Sequence, residues 1–384
     1  MRGWPIVKLS EVCKFDRGLT YMKGDEVESD GTPVLRANNI DLATGRLDLS
    51  DVRYVSTNVA VPEAKRTRKG ALLICTASGS KSHLGKVAYI DDAVGWAFGG
   101  FMGQITAKPS VDSRYLYYLL VSDFFRNHLG KRSEGININN LKFSDIADFE
   151  VPLPPLAEQK RIVAILDETF EGIAKATTNA ERNLANAREL SSLAFISQTS
   201  RPDDTWVECT LGDQFTLQRG VDITKSAQRS GHVPVVSSGG IRSFHDTAIA
   251  VAPGVVIGRK GSLGTAYFVE EDFWPHDTTL WVKDFKGNHP KFVFYVLKSL
   301  DLKALDSGAA NPALNRNNVH PIAVRWPPIE VQERIVSLVD VMSNRALQIE
   351  SLYEQKVRAC KDLRLALLHK AFSGQLTGKE AVAA

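Results

Sequence analysis

The sequence predicts an α+β fold arranged as an internal repeat: two globular domains, each followed by a long spacer helix, with the two helices paired through a coiled-coil seam. Three observations lead there. First, matching segments recur in the same order in both halves of the chain. Second, each half carries a Pro-Pro pair followed by roughly 40 residues with no internal proline and a regular apolar spacing. Third, the parts before each Pro-Pro mix β-branched and aromatic runs with Gly, Asn and Ser punctuation, as compact mixed domains do.

The repeat is legible residue by residue, and repeats are the first feature to establish in any chain. Trp4, Leu9, Arg17 and Gly18 return 202 residues later as Trp206, Leu211, Arg219 and Gly220. GTPVLRANNI (31–40) is echoed by GHVPVVSSGGI (231–241), and GALLICTASGSKSHLGKVAYI (70–90) by GVVIGRKGSLGTAYFV (254–269), shorter by five residues near the turn. RYLYYLL (114–120) answers to KFVFYVLKSL (291–300), and AFISQ (194–198) to AFSGQ (371–375). The strongest match sets LPPLAEQKRIVAILDE (153–168) against WPPIEVQERIVSLVDV (326–341). These matches divide the chain into a globular domain over 1–153, a helix over 154–200, a second globular domain over 201–326 and a second helix over 327–384.

Proline fixes φ and suits the first turn of a helix, so Pro154-Pro155 and Pro327-Pro328 mark helix starts. In the first helix Val163, Leu166, Phe170, Ile173, Thr177, Ala180, Leu184 and Ala187 follow a 4-3 spacing. In the second, Ile335, Val339, Met342, Ala346, Ile349, Tyr353, Lys356, Cys360, Leu363 and Leu367 do the same. Such a seam seeks a partner helix, and the simplest partner is the other helix of the same chain. At ~1.5 Å per residue each helix would span ~60 Å, longer than a core helix needs, which favours a spacer.

Composition narrows the class. The 384 residues are 43% hydrophobic and 24% charged, ordinary for a globular protein, with a net charge of +3 that permits nucleic-acid binding without demanding it. No apolar run approaches the ~20 residues of a membrane span, and MRGWPIVKLSEV lacks a secretory apolar core, so no membrane association and a cytoplasmic location are expected. Cys13, Cys75, Cys209 and Cys360 are widely spaced and form no CxxC pair, which argues against disulfides and a zinc site.

The P-P-L-A-E-Q-K-R-I-V segment and its partner P-P-I-E-V-Q-E-R-I-V resemble the start of the spacer helices in specificity subunits of type I restriction-modification systems. The resemblance covers essentially the whole chain. It implies that each globular domain is a target-recognition domain reading one half of a split double-stranded DNA target. It further implies that the helices pack antiparallel and dock two methyltransferase subunits, and that motor-nuclease restriction subunits can join. On that reading the chain holds no cofactor, S-adenosylmethionine sits on the methyltransferase partner, and ATP and magnesium belong to any restriction partner. Gln159, Val163, Leu166, Phe170, Gln332, Ile335, Val339 and Met342 are then the spacer or partner-docking residues.

Candidate DNA contacts follow from residue chemistry. Lys65, Arg66, Arg68 and Lys69 form the densest basic cluster and suit phosphate neutralisation, although a solvated loop explains them equally well. Ser78-Gly79-Ser80-Lys81-Ser82-His83 and Arg259-Lys260-Gly261-Ser262 are equivalent turns in which glycine permits close approach while Ser80, Lys81, Arg259, Lys260 and Ser262 donate hydrogen bonds. Arg36-Ala37-Asn38-Asn39 and Ser237-Ser238-Gly239-Gly240-Ile241-Arg242 occupy matching loops, where Arg36, Asn38, Ser238 and Arg242 are plausible base readers. Turn formation is at least as good an account of Asn38 and Asn39. Asn137, Asn139 and Asn140, like Asn311, Asn315, Arg316 and Asn317, sit ahead of the helices and favour capping.

No catalytic constellation emerges. Gly79 and Gly85 are five residues apart rather than the four of a phosphate-binding loop, and Val87 stands where Ser or Thr would hold magnesium. Asn311-Pro312-Ala313-Leu314 departs from the Asn/Asp-Pro-Pro-aromatic pattern of adenine methyltransferases at two places. The Phe98–Gly103 glycines do not form the usual cofactor loop, Pro202-Asp203 lies in an interdomain linker, and the histidines lack metal-ligand spacing. The chain is therefore expected to be non-catalytic. Two other readings remain open: the reader portion of a fused methyltransferase-nuclease that lost its catalytic part, and a protein-binding scaffold.

Overall fold

The computed structural model describes residues 3–41, 44–78, 83–133, 140–305 and 313–377. The two expected helices are present as unbroken 44-residue elements, Leu156–Thr199 and Ile329–Phe372, each beginning directly after its Pro-Pro pair. No helix among the described residues is long and apolar enough to cross a membrane.

Both globular domains are built on one plan. In the first, a four-stranded antiparallel sheet runs Cys13–Arg17, Met102–Ala107, Leu72–Cys75, Val87–Tyr89. In the second the order is Thr216–Arg219, Thr279–Asp284, Gly254–Gly258, Ala266–Val269. Leu72–Cys75 and Gly254–Gly258 are buried throughout, which explains their continuous apolar runs rather than alternation. A second sheet in each domain joins Thr32–Leu35 to Ala97–Phe98, and Val233–Ser237 to Trp274–Pro275, both pairs parallel. Short two-stranded ribbons close the domains, Ile6–Lys8 with Glu150–Pro152 and Val207–Thr210 with Ala323–Trp326. Leu9 and Leu211, matched in the sequence, are both fully buried beside these ribbons. The strand pairings align Gly254 with Ala71 rather than with Gly70, a one-residue correction to the sequence match.

The two compact units do not coincide with the sequence repeats. One comprises Met1–Asn179 with Lys356–Ala384, the other Ala180–Gln355. Each therefore takes its globular domain, the helix segment nearest it and a segment of the other helix. In the first unit Arg364 lies over the Phe170 ring at 5.0 Å and Thr377 bonds Glu158. In the second, Asn183 Nδ2 donates to Tyr353 Oη at 3.1 Å, and Phe195 joins the core that contains Val336 and Val339. Residue numbers fall along one helix as they rise along the other, so the segments in each unit run antiparallel. Phe372 meets Tyr115 edge-on at 5.4 Å in the first unit, and Phe195 meets Phe292 at 5.6 Å in the second. The matched AFISQ and AFSGQ segments thus do the same job, each completing the core built on the other repeat.

The 4-3 seam is only partly a helix–helix seam. Val163, Leu166, Ile335 and Val339 are buried with the sheets and the Ser113–Leu120 and Pro290–Ser299 helices of their own domains, while Phe170 and Met342 are half-buried. Ala180, Ala187 and Ala346 are buried, but Leu363 is 49% exposed. A helix that touches a domain at one end and another helix at the other cannot keep one face buried throughout.

Candidate nucleic-acid interface

The repeat persists at the level of single hydrogen bonds. The Gly18 amide donates to the Met102 carbonyl (3.1 Å), as Gly220 does to Thr279 (3.0 Å). Leu19 donates to Phe98 (2.7 Å), as Val221 does to Pro275 (2.8 Å), and Gly99 to Leu35 as His276 to Val236, both at 2.9 Å. Thr76 and Ala77 donate to one acceptor, the Phe101 carbonyl, at 2.9 and 3.2 Å. Arg259 and Lys260 donate to the Thr278 carbonyl at 2.8 and 3.1 Å. This shared frame gathers four loops at one end of each domain. It also explains the repeated Arg-Gly pairs: a Cβ on Gly18 would collide with the Gly99 carbonyl oxygen, and one on Gly220 with that of His276.

In the second domain the frame brings the expected residues together. The Ser238 amide donates to Thr278 Oγ1 (3.3 Å), the Tyr267 hydroxyl donates to the Ser238 carbonyl (3.0 Å), and a Cβ on Gly261 would lie 3.4 Å from Ser238 Oγ. Arg242, Lys260 and Ser262 are exposed, and the Arg242 guanidinium lies over Gly239. Arg259 is half-buried, and its Nη1 is shielded from solvent without a hydrogen-bond partner among the described residues. Such a nitrogen is costly to leave unpaired, so an incoming acceptor would be favoured. Asp222, His276 and Asp277 also place ligand-type atoms within 4.8 Å of one another, a grouping that residues 54 apart hid in the sequence. Arg219 bonds Asp277 at 3.0 Å and already supplies the opposing charge.

In the first domain the outcome divides. Arg36 pairs with Asp51 (3.1 Å), and Asn39 is 1% exposed, donating to the Asp48 and Asp51 carbonyls, so it builds the loop. Asn38 is exposed beside it. Three of the four cations of the basic cluster, read as a phosphate patch or a solvated loop, are half-buried and bonded within the domain. Lys65 Nζ donates to the Gly18 carbonyl (2.7 Å), Arg66 to that of Gly95 (2.9 Å), and Arg68 pairs with the 9% exposed Asp16 (2.8 Å). A buried carboxylate requires a counter-charge, and Arg68 provides it. Of the four cations only Lys69 is exposed. Ser80 and Lys81 lie outside the described residues.

Gln159 and Gln332, expected as spacer or partner-docking residues, lie on the long helices but turn into their own domains. Gln159 is fully buried: its Oε1 accepts from the Asp112 amide (2.8 Å), and its Nε2 donates to the Ser110 (3.2 Å) and Pro154 (2.8 Å) carbonyls. Gln332, 2% exposed, accepts from His289 (3.0 Å) and donates to Asn288 Oδ1 (2.7 Å) and the Pro327 carbonyl (3.0 Å). Both amides lock the helix start to the domain. Just over two turns further on, Tyr118 and Arg114 meet Asp167, and Tyr295 and Lys291 meet Asp340. Burial first, then the hydrogen bond to the carboxylate, hold both tyrosine hydroxyls above their usual range, Tyr295 at about 12. The sequence held this clamp in its matched RYLYY and KFVFY segments, but nothing in the spacing tied them to the aspartates.

Val163, Leu166, Ile335 and Val339 are likewise core residues rather than a docking face. The second helix exposes a different set, Leu338, Val341, Ile349 and Leu352, which at ~100° per residue share one face roughly 90° round from Ile335, Val339, Met342 and Ala346.

A family model for the type I restriction modification DNA specificity domain matches residues 1–183 and again 203–358. Over 98% of its length the chain is 25% identical to the type I restriction enzyme StySPI specificity subunit of Salmonella potsdam, covering 90% of that protein. Over 168 residues, 43% of this chain and 36% of the other, it is 35% identical to the EcoKI specificity subunit of Escherichia coli K12. Among solved structures, a chain from a study of complex assembly and conformational transition in a type I R-M system shares the fold with a TM-score of 0.82 at 20% identity, covering 98% of this chain and 99% of that one. The HsdS subunit of Thermoanaerobacter tengcongensis gives 0.59 at 20% identity over 98% of both chains. With both halves matched by the same model, the chain belongs to the type I restriction-modification DNA specificity family.

Proposed function

We propose that this chain supplies the DNA specificity of a type I restriction-modification complex, each globular domain reading one half of a bipartite duplex target. The observation that carries the reading is the duplicated backbone frame bearing different side chains in its two copies. A common frame presents loops to a common ligand class, while Asn38 and Arg36 on one copy and Arg242, Arg259, Lys260 and Ser262 on the other suit different base edges. The chain contributes no catalytic group. Two methyltransferase subunits carrying S-adenosylmethionine dock on the helices, and any motor-nuclease subunits bring ATP and magnesium. The exposed Leu338, Val341, Ile349 and Leu352 face offers apolar surface of the kind a partner covers.

The test is to reconstitute the chain with type I methyltransferase subunits and sequence the methylated sites. A split motif is expected, and exchanging residues 201–326 for the equivalent domain of a related protein should rewrite one half only. Absence of any motif, or rewriting of both halves, overturns the reading.

A further inference from the structure

Phe101 occupies the same place in the first domain's frame as Thr278 in the second. The Phe101 carbonyl accepts from the Thr76 and Ala77 amides and from Thr76 Oγ1 (2.9 Å), so its backbone is held by three hydrogen bonds. The residue nevertheless stands 72% exposed, directly after Gly99 and Gly100, which have no side chains to cover it. Exposing a large aromatic forgoes burial worth several times the thermal energy, and here it is exposed from a backbone that is hydrogen-bonded into the frame. The fold does not demand an aromatic here. Thr278 fills the equivalent position with a hydroxyl turned inward, partnered by the Ser238 amide and His276 Nδ1.

We propose that Phe101 is a specificity-determining residue of the first domain, placing its ring against the 5-methyl group of a thymine in the major groove. Apolar contact with that methyl is one of the few ways a hydrocarbon side chain distinguishes bases. The neighbouring loop, tied to the frame through the Gly99–Leu35 bond, carries Arg36 and the exposed Asn38, whose chemistry suits purine edges in that groove. This inference rests on the reading of the globular domains as DNA readers.

The experiment uses the full chain assembled with its methyltransferase subunits. Uracil replaces each thymine of the target in turn, removing only the methyl group, and binding is measured for wild type, Phe101→Thr and Phe101→Leu. Wild type should lose about three- to fivefold at one thymine of one half-site, the worth of one buried methyl group. Phe101→Thr should be indifferent to that methyl and relax the methylated motif at that position alone, while Phe101→Leu keeps most of the discrimination. Uniform weakening on all DNA by Phe101→Thr, or an unchanged motif and uracil scan, overturns the proposal. A wild-type complex without any split motif would instead sink the underlying DNA-reader assignment, so the two failures are distinguishable.

Discussion

The Tyr295 hydroxyl donates to Asp340 Oδ1 at 2.6 Å, joining the Pro290–Ser299 helix of the second domain to the long helix that follows it. Lys291 Nζ reaches the other oxygen of the same carboxylate at 2.7 Å. Tyr118, Arg114 and Asp167 repeat the arrangement in the first unit, so duplication has kept a side-chain clamp as well as a backbone plan.

The clamp predicts an alkaline limit. Burial, with the Asp340 bond, raises the Tyr295 hydroxyl from 10 to about 12. A group whose folded value is raised favours the fold below its unfolded value and loses that contribution as pH rises through the folded one. Denaturant unfolding followed from pH 8 to pH 12.5 should show wild type losing more stability between about 10 and 12 than Tyr295→Phe does. The variant should be weaker at pH 8 by about 1.5–3 kcal/mol, the worth of one hydrogen bond to a charged group. Parallel curves for the two proteins would refute the assignment.

Gln332→Leu should destabilise the isolated chain by about 2–4 kcal/mol, because the His289 amide and the Pro327 carbonyl lose their partner in a buried place and Asn288 Oδ1 keeps only Trp326 Nε1. Thermal unfolding without any partner subunit reads this out. A docking residue would behave oppositely, leaving the melting temperature unchanged and weakening only assembly.

Phe372→Ala should loosen the first unit although residue 372 lies in the second repeat, at a cost of roughly 3–5 kcal/mol for a buried aromatic. Hydrogen exchange should quicken in Ser113–Leu120 and stay unchanged in Pro290–Ser299, with Phe195→Ala giving the reverse. Equal quickening of both helices by either variant would mean that the units are not independent cores.

Much of the architecture was legible because its signals are local or repeated. Pro154-Pro155 and Pro327-Pro328 announce helix starts through fixed φ, and the paired segments expose the duplication without any knowledge of contacts. The candidate interface was less legible. Lys65, Arg66 and Arg68 look like a phosphate patch in sequence, yet their partners Gly18, Gly95 and Asp16 lie 29 to 52 positions away. The role of Phe101 has no signal in the sequence, since exposure is invisible in a string and an apolar residue beside a strand reads as core.

By itself the sequence determined the repeat, the mixed domains, the two long helices and the family resemblance, all of which depend on residue order and short-range periodicity. Only the tertiary structure decided which helix face is buried, that Gln159 and Gln332 are internal locks, and that each core is completed by the other repeat's Phe372 or Phe195. The physical reason is that a 4-3 spacing records that a face is apolar but not what covers it. A buried amide or guanidinium likewise takes its role from partners that only chain folding brings within about 3 Å.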